Sequence, residues 1–133
     1  MMILFHSEKK GQFTERLWQA VAAVATRPAV KRYRTLRGLK QALCRPGKRP
    51  EIVVLAVADE EELGKLLSIR ELLWDLRIIL ALPNDDPTVA AMGHLLRPRF
   101  TTCGSGRIEE MVSVLDRIVE QITPGTTSGP WGQ

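Results

Sequence analysis

The sequence predicts an α/β domain built on a doubly wound, five-stranded parallel sheet with helices on both faces. Three observations carry that expectation. The run Ile52-Val53-Val54-Leu55-Ala56-Val57-Ala58 is short, rich in β-branched residues and apolar without alternation, the pattern of a strand covered on both faces. Leu76-Arg77-Ile78-Ile79-Leu80-Ala81-Leu82 repeats that pattern one helix-length later. Five strand-like segments alternate with five helix-like ones along the chain, joined by short connections, as parallel crossover units require. With 133 residues, 44% of them hydrophobic, the chain can bury a core without metal or disulfide staples.

Met2-Ile3-Leu4-Phe5 is the first strand, followed by a polar loop from His6 to Gln12. Thr14 is a suitable N-cap for the first helix, Phe13 can staple against Trp18, and Leu17, Trp18, Val21 and Val24 form its apolar stripe. Arg27-Pro28 ends it. Val30 to Leu36 alternates enough for a second strand, and Lys31, Arg32 and Arg34 place charge on both its faces, which suits an exposed edge. Leu36, Leu39 and Leu43 give a short helix up to Cys44, closed by the breaker loop Arg45 to Pro50.

After the third strand, Asp59 with Glu62 three residues on is the signature of a capped helix start, and Glu60 and Glu61 suit the positive end of the helix dipole. That helix is expected to reach about Asp75, with a wide apolar arc of Leu63, Leu66, Leu67, Ile69, Leu72, Leu73 and Trp74. The fourth strand stops at Pro83, and Asp86 before Pro87 opens a helix carrying Val89, Met92, Leu95 and Leu96. Arg99 to Cys103 is the last strand. Beyond Gly104-Ser105-Gly106, the residues Ile108, Met111, Leu115, Ile118 and Ile122 share one face of the last helix. The domain is expected to occupy residues 1–122, with a disordered Pro, Gly, Thr and Ser tail over 123–133 in which Trp131 is out of character. Right-handed crossovers with the basic second strand at an edge give the flavodoxin-like order 2-1-3-4-5.

Composition narrows the function classes. No apolar run approaches the ~18 residues of a membrane span and no secretory leader is legible, so a cytoplasmic protein without membrane contact is expected. Cys44 and Cys103 are too few for a disulfide framework and are expected as reduced thiols packed like small hydrophobes. The net charge of +4 is unevenly spread. Between Arg27 and Pro50 stand Arg27, Lys31, Arg32, Arg34, Arg37, Lys40, Arg45, Lys48 and Arg49 without one acid, while the remainder carries more acids than bases. Such a lobe attracts an acidic partner. Nucleic acid is the less favoured occupant, because Tyr33 is the only aromatic residue there and no helix-turn-helix pattern accompanies it.

In a sheet of this kind ligands gather at the carboxyl ends of the strands. His6, Ser7, Glu8, Asp59, Asn84, Asp85 and Asp86 belong there. Asp59 and Asp86 are explained as caps, and one histidine with scattered carboxylates is not a ligand spacing, so neither a metal nor a cofactor is expected. A competing expectation is a small flavodoxin-like ligand-binding protein or enzyme. In it Ser7, Lys10, Gly11 and Thr14 cradle a phosphate at the first strand–helix loop, with Asp59 nearby.

Residues 1 to about 122 resemble the receiver domain of two-component response regulators. In that family the first strand ends in paired acids that hold Mg²⁺, the third in a phospho-accepting Asp, the fourth in Thr or Ser and the fifth in Lys-Pro. Here Phe5-His6-Ser7-Glu8 occupies the place of the acidic segment, and Ala56 stands where the acceptor belongs. Leu82 or Ala81 replaces the hydroxyl residue, and Cys103-Gly104 replaces Lys-Pro. The resemblance therefore implies a pseudo-receiver with no catalytic residues. Such a domain is a signalling or scaffold module acting by protein contact; the wide apolar helix 63–74 is explained equally by a homodimer interface and by burial within the monomer.

Overall fold

The computed structural model describes residues 2–9, 11–24, 29–45, 50–82, 84–103 and 108–122. The expected tail with Trp131 lies outside the described residues, as do Lys10, Arg27, Lys48, Arg49 and Gly104-Ser105-Gly106. The strands are β1 (Met2–Ser7), β2 (Ala29–Tyr33), β3 (Ile52–Ala56), β4 (Arg77–Leu82) and β5 (Phe100–Cys103), with unalternating apolar runs in β3 and β4 and a basic run in β2. All neighbouring pairs are parallel and the order is β2-β1-β3-β4-β5, as predicted. Between them run α1 (Gln12–Val24), α2 (Leu36–Leu43), α3 (Glu60–Leu67), α4 (Pro87–His94) and, at the end, α5 (Ile108–Ile122).

Because side chains alternate across a strand, the sheet feeds two separate cores. Ile3, Phe5, Ile52, Val54, Ala56, Ile79 and Ala81 pack with Leu17 and Val21 of α1 and Met111, Leu115 and Ile118 of α5. Leu4, Val53, Leu55, Ile78, Leu80 and Leu82 pack with residues of α2, α3 and α4. Every residue of β3 is buried. At roughly 1.5–3 kcal/mol for each fully buried large aliphatic side chain, this central strand is a principal source of the hydrophobic driving force.

Several boundaries differ from expectation, each for a local reason. β1 continues through His6 and Ser7, which are buried and paired in register with Leu55 and Ala56, so the polar loop begins only at Glu8. α1 starts at Gln12, and the Glu15 N–H donates to the Gly11 carbonyl at 3.0 Å. Thr14 is therefore not the N-cap but a buried residue of the first turn, and Phe13 and Trp18 both lie inside the helix. β2 stops at Tyr33 because Thr35 caps α2, accepting the Gly38 N–H at 3.0 Å. The predicted helix to Asp75 ends at Leu67 instead. There the Ser68 hydroxyl donates to the Lys65 carbonyl at 2.5 Å, a side-chain bond that competes with helix propagation, and a 3-10 turn over Arg70–Leu72 carries the chain to β4. Cys44 is exposed at the end of α2 rather than packed; Cys103 is half-buried against the core.

The Arg97 backbone is left-handed at φ 56°, ending the α4 turn with its N–H on the His94 carbonyl at 3.0 Å. Gly93 marks the tightest helix–sheet approach, since a Cβ there would lie 2.7 Å from Cδ2 of Leu80. A Cβ on Gly64 would meet nothing within 4 Å. Gly93→Ala is accordingly expected to cost about 1–3 kcal/mol by overpacking, whereas Gly64→Ala on the exposed side of α3 should gain up to about 1 kcal/mol. Urea midpoints of the two variants check this; equal shifts would contradict the close packing at Leu80.

Candidate functional site at the carboxyl ends of the strands

Parallel pairing sets a row of small side chains across the top of the sheet: Ser7 opposite Ala56, Ala56 opposite Ala81, and Ala81 opposite Thr102. All four are buried, on the face shared with α1 and α5. The row separates the predicted positions. Ala81 stands beside Ala56, while Leu82 turns into the opposite core and pairs with Cys103, which packs against that same core. Neither Leu82 nor Cys103 shares a face with Ala56. Thr102, which sequence reasoning passed over, supplies the hydroxyl on Ala56's face; the signal was strand parity, which puts one of Thr101 and Thr102 there, but register was needed to choose.

Above the row, the capping signature at α3 is realised. Asp59 Oδ1 accepts the Glu62 N–H at 2.9 Å, and Glu62 Oε1 accepts the Ala58 N–H at 3.1 Å. Two lysines engage the remaining carboxylates. Lys9 donates to Asp59 Oδ2, and Lys65 reaches from α3 to Glu8 Oε1 at 3.0 Å. The Lys9 hydrogen bond, with a contribution from the Glu62 amide, pulls the Asp59 carboxyl below its ordinary value; Asp59 in turn raises Lys9, and Glu8 raises Lys65. Both pairs are partly exposed, so salt screens them. Asp86 caps α4 through the Thr88 and Val89 amides at 2.8 and 3.5 Å, and Asn84 Oδ1 accepts the Asp86 N–H at 3.0 Å.

The residues of the phosphate-cradle expectation stand in different settings. Ser7 lies in β1, Thr14 is buried in α1, Asp59 is engaged by Lys9, Gly11 precedes α1, and Lys10 is outside the described residues. Among the described residues no three His, Cys, Asp or Glu side chains come together in a way that could hold a metal ion. The Mg²⁺ implied by the receiver resemblance does not fit these side chains: the row offers two hydroxyls and methyl groups, and Glu8 and Asp59 already face ammonium groups.

No family model and no curated protein sequence matches the chain. Solved structures do. The isolated receiver domain of RcsB from Salmonella enterica serovar Typhimurium superposes with a TM-score of 0.68 at 11% identity, over 90% of this chain and 88% of that one. A Burkholderia pseudomallei protein described as pilus assembly-related superposes with a TM-score of 0.67 at 17% identity, over 90% of each chain. The fold is that of a receiver domain. Against a longer RcsB structure from Salmonella typhimurium the TM-score is 0.63 at 11% identity, and the match covers 94% of this chain but 60% of that one. This receiver-like fold includes no helix, among the described residues, that is long and apolar enough to cross a membrane.

Two buried titratable groups lie in elements at this edge, His6 in β1 and Glu62 in α3. His6 Nδ1 has no hydrogen-bond partner among the described residues, and burial lowers the His6 pKa against an opposing pull from Glu8. Glu62 Oε2 is likewise unpartnered, and burial raises the Glu62 pKa, offset in part by the Ala58 amide. Below the ordinary histidine value of 6.5 the unfolded chain takes up a proton that folded His6 refuses, so stability present at neutral pH is lost as pH falls towards the folded value. Glu62 works the other way: it holds its proton above the ordinary 4.5, so folding is favoured on acidification through that interval and disfavoured as pH rises. Thermal melts across this range should show His6→Leu flattening the loss of stability just below pH 6.5, and Glu62→Gln removing the opposing gain nearer pH 4.5. An unchanged acid slope in His6→Leu would show that histidine is not its source.

Proposed function

We propose that this protein is a receiver-like signalling or scaffold module that is not phosphorylated at the usual position and acts through protein contact. The observation that carries it is Ala56 at the end of β3, flanked by Ser7 and Ala81. Phosphoryl transfer to a receiver needs a carboxylate nucleophile and a cation held by carboxylate oxygens. A methyl group supplies neither, and Asp59, three residues on, is occupied as a helix cap and by Lys9.

Incubation with acetyl phosphate and Mg²⁺ is expected to leave the intact mass unchanged, and Ala56→Asp alone is expected not to restore labelling because Glu8 and Asp59 stay paired to lysines. A stable increment of one phosphate on the natural chain would overturn this proposal.

Support for protein contact comes from the exposed end of the expected arc. Leu63, Leu66, Ile69 and Leu73 are consumed by the protein's own core, which leaves Trp74 as the arc's exposed member. Among the described residues the exposed large apolar side chains are Trp74 at 54% and Leu95 at 53%, with the Arg97 guanidinium 5.8 Å from the Trp74 ring centroid. An exposed aromatic–arginine pair is the kind of anchor that protein interfaces use. Self-association through it is expected to appear as concentration-dependent sedimentation that Trp74→Ala abolishes; a monomer at high micromolar concentration would remove the homodimer while leaving contact with another protein.

A further inference from the structure

Along the β2–α2 edge, residues 29–45 hold six bases and no acid. Arg32 belongs to the interior: its guanidinium binds Glu15 Oε2 at 2.5 Å and lies 5.2 Å from the Trp18 ring centroid. The other five, Lys31, Arg34, Arg37, Lys40 and Arg45, are exposed, and none has an ion-pair partner among the described residues. Folded surfaces normally intersperse the two signs; an uncompensated group of one sign focuses potential on whatever carries the other.

The arrangement discriminates among anionic partners. Arg37 and Lys40, three apart, share a face of α2, with Arg34 just before its cap and Arg45 just after its end. At 1.5 Å per residue the eight residues of α2 span roughly 12 Å, a length over which duplex DNA presents about seven charges at one per 1.7 Å of axis. Leu39 and Leu43 of the same helix are buried, and the exposed Trp74 and Leu95 belong to other segments. Among the described residues the basic face therefore presents no exposed apolar anchor of a protein interface, no aromatic platform of a single-strand binder and no apolar wedge for a lipid surface.

We infer that the β2–α2 edge, through Lys31, Arg34, Arg37, Lys40 and Arg45, is a sequence-independent docking surface for the phosphate backbone of duplex nucleic acid. Five phosphate contacts release about as many counterions, giving a slope of log K against log salt of about −4.5 for B-form DNA. This inference is independent of whether Ala56 excludes phosphorylation.

Fluorescence anisotropy of the full chain with mixed-sequence DNA and RNA duplexes, titrated at increasing salt, tests it. Binding that differs little between sequences and weakens with that slope is expected, with the two duplex arms showing which nucleic acid is preferred. Arg37→Gln with Lys40→Gln should lower affinity about tenfold or more and reduce the slope by about two, because two phosphate contacts are lost. Arg99→Gln with Arg117→Gln removes the same charge from exposed positions on β5's approach and on α5, and should leave binding unchanged. Melting curves confirm that both doubles remain folded. No binding to either duplex at low salt, equal losses in the two doubles, or tighter binding to anionic phospholipid vesicles than to duplex would each overturn the inference.

Discussion

A strand with no polar side must be covered twice, and that requirement organises the molecule. β3 sits in the middle of the sheet with both its faces buried, one against α1 and α5 and the other against α2, α3 and α4. Helices on both faces of a parallel sheet are reached by right-handed crossovers that reverse direction once, which sends β1 and β2 to one side of β3 and β4 and β5 to the other. All five strands then end at one edge. The place where chemistry would occur is thus a consequence of hydrophobic burial, whereas the chemistry itself depends on which side chains stand there.

At that edge the chain satisfies its charges internally. Lys9 ties the loop after β1 to the cap of α3, and Lys65 ties α3 back to Glu8, so the acids brought together by the fold meet ammonium groups. Glu62 illustrates the cost of a tight cap. The hydrogen bond that secures Ala58 draws its carboxylate out of solvent and leaves one oxygen unpartnered, which is why burial raises its pKa.

The edge strand β2 divides its bases by parity. Lys31 stays exposed, while Arg32 turns to the α1 face, where its guanidinium covers the edge-to-face pair of Phe5 and Trp18, whose centroids are 5.4 Å apart, and reaches Glu15. Aromatic stacking and a bidentate-capable acid make an arginine tolerable there, where a lysine would match neither geometry. One of the charges counted in the basic lobe is therefore structural, and the surface it leaves behind is carried by α2 and its flanks.

The elements were legible because local patterns specify them: unalternating runs for β3 and β4, the Asp59–Glu62 and Asp86–Pro87 starts of α3 and α4, and the single apolar face of α5. Their ends were less so. His6 and Ser7 look like loop residues until β3 pairs with them, and the apolar positions Ile69 and Leu73 fit a continued helix as well as they fit a turn that reaches the same core. By itself the sequence determined the sheet order, the two faces of the core and the alanine that ends β3. Tertiary structure alone decided that Ala81 and Thr102 share its row while Leu82 and Cys103 do not, and that Asp59 and Glu8 are closed by lysines distant in the chain. The physical reason is that periodicity and capping act within a few residues, whereas register and ion pairing are set between segments only when the strands align.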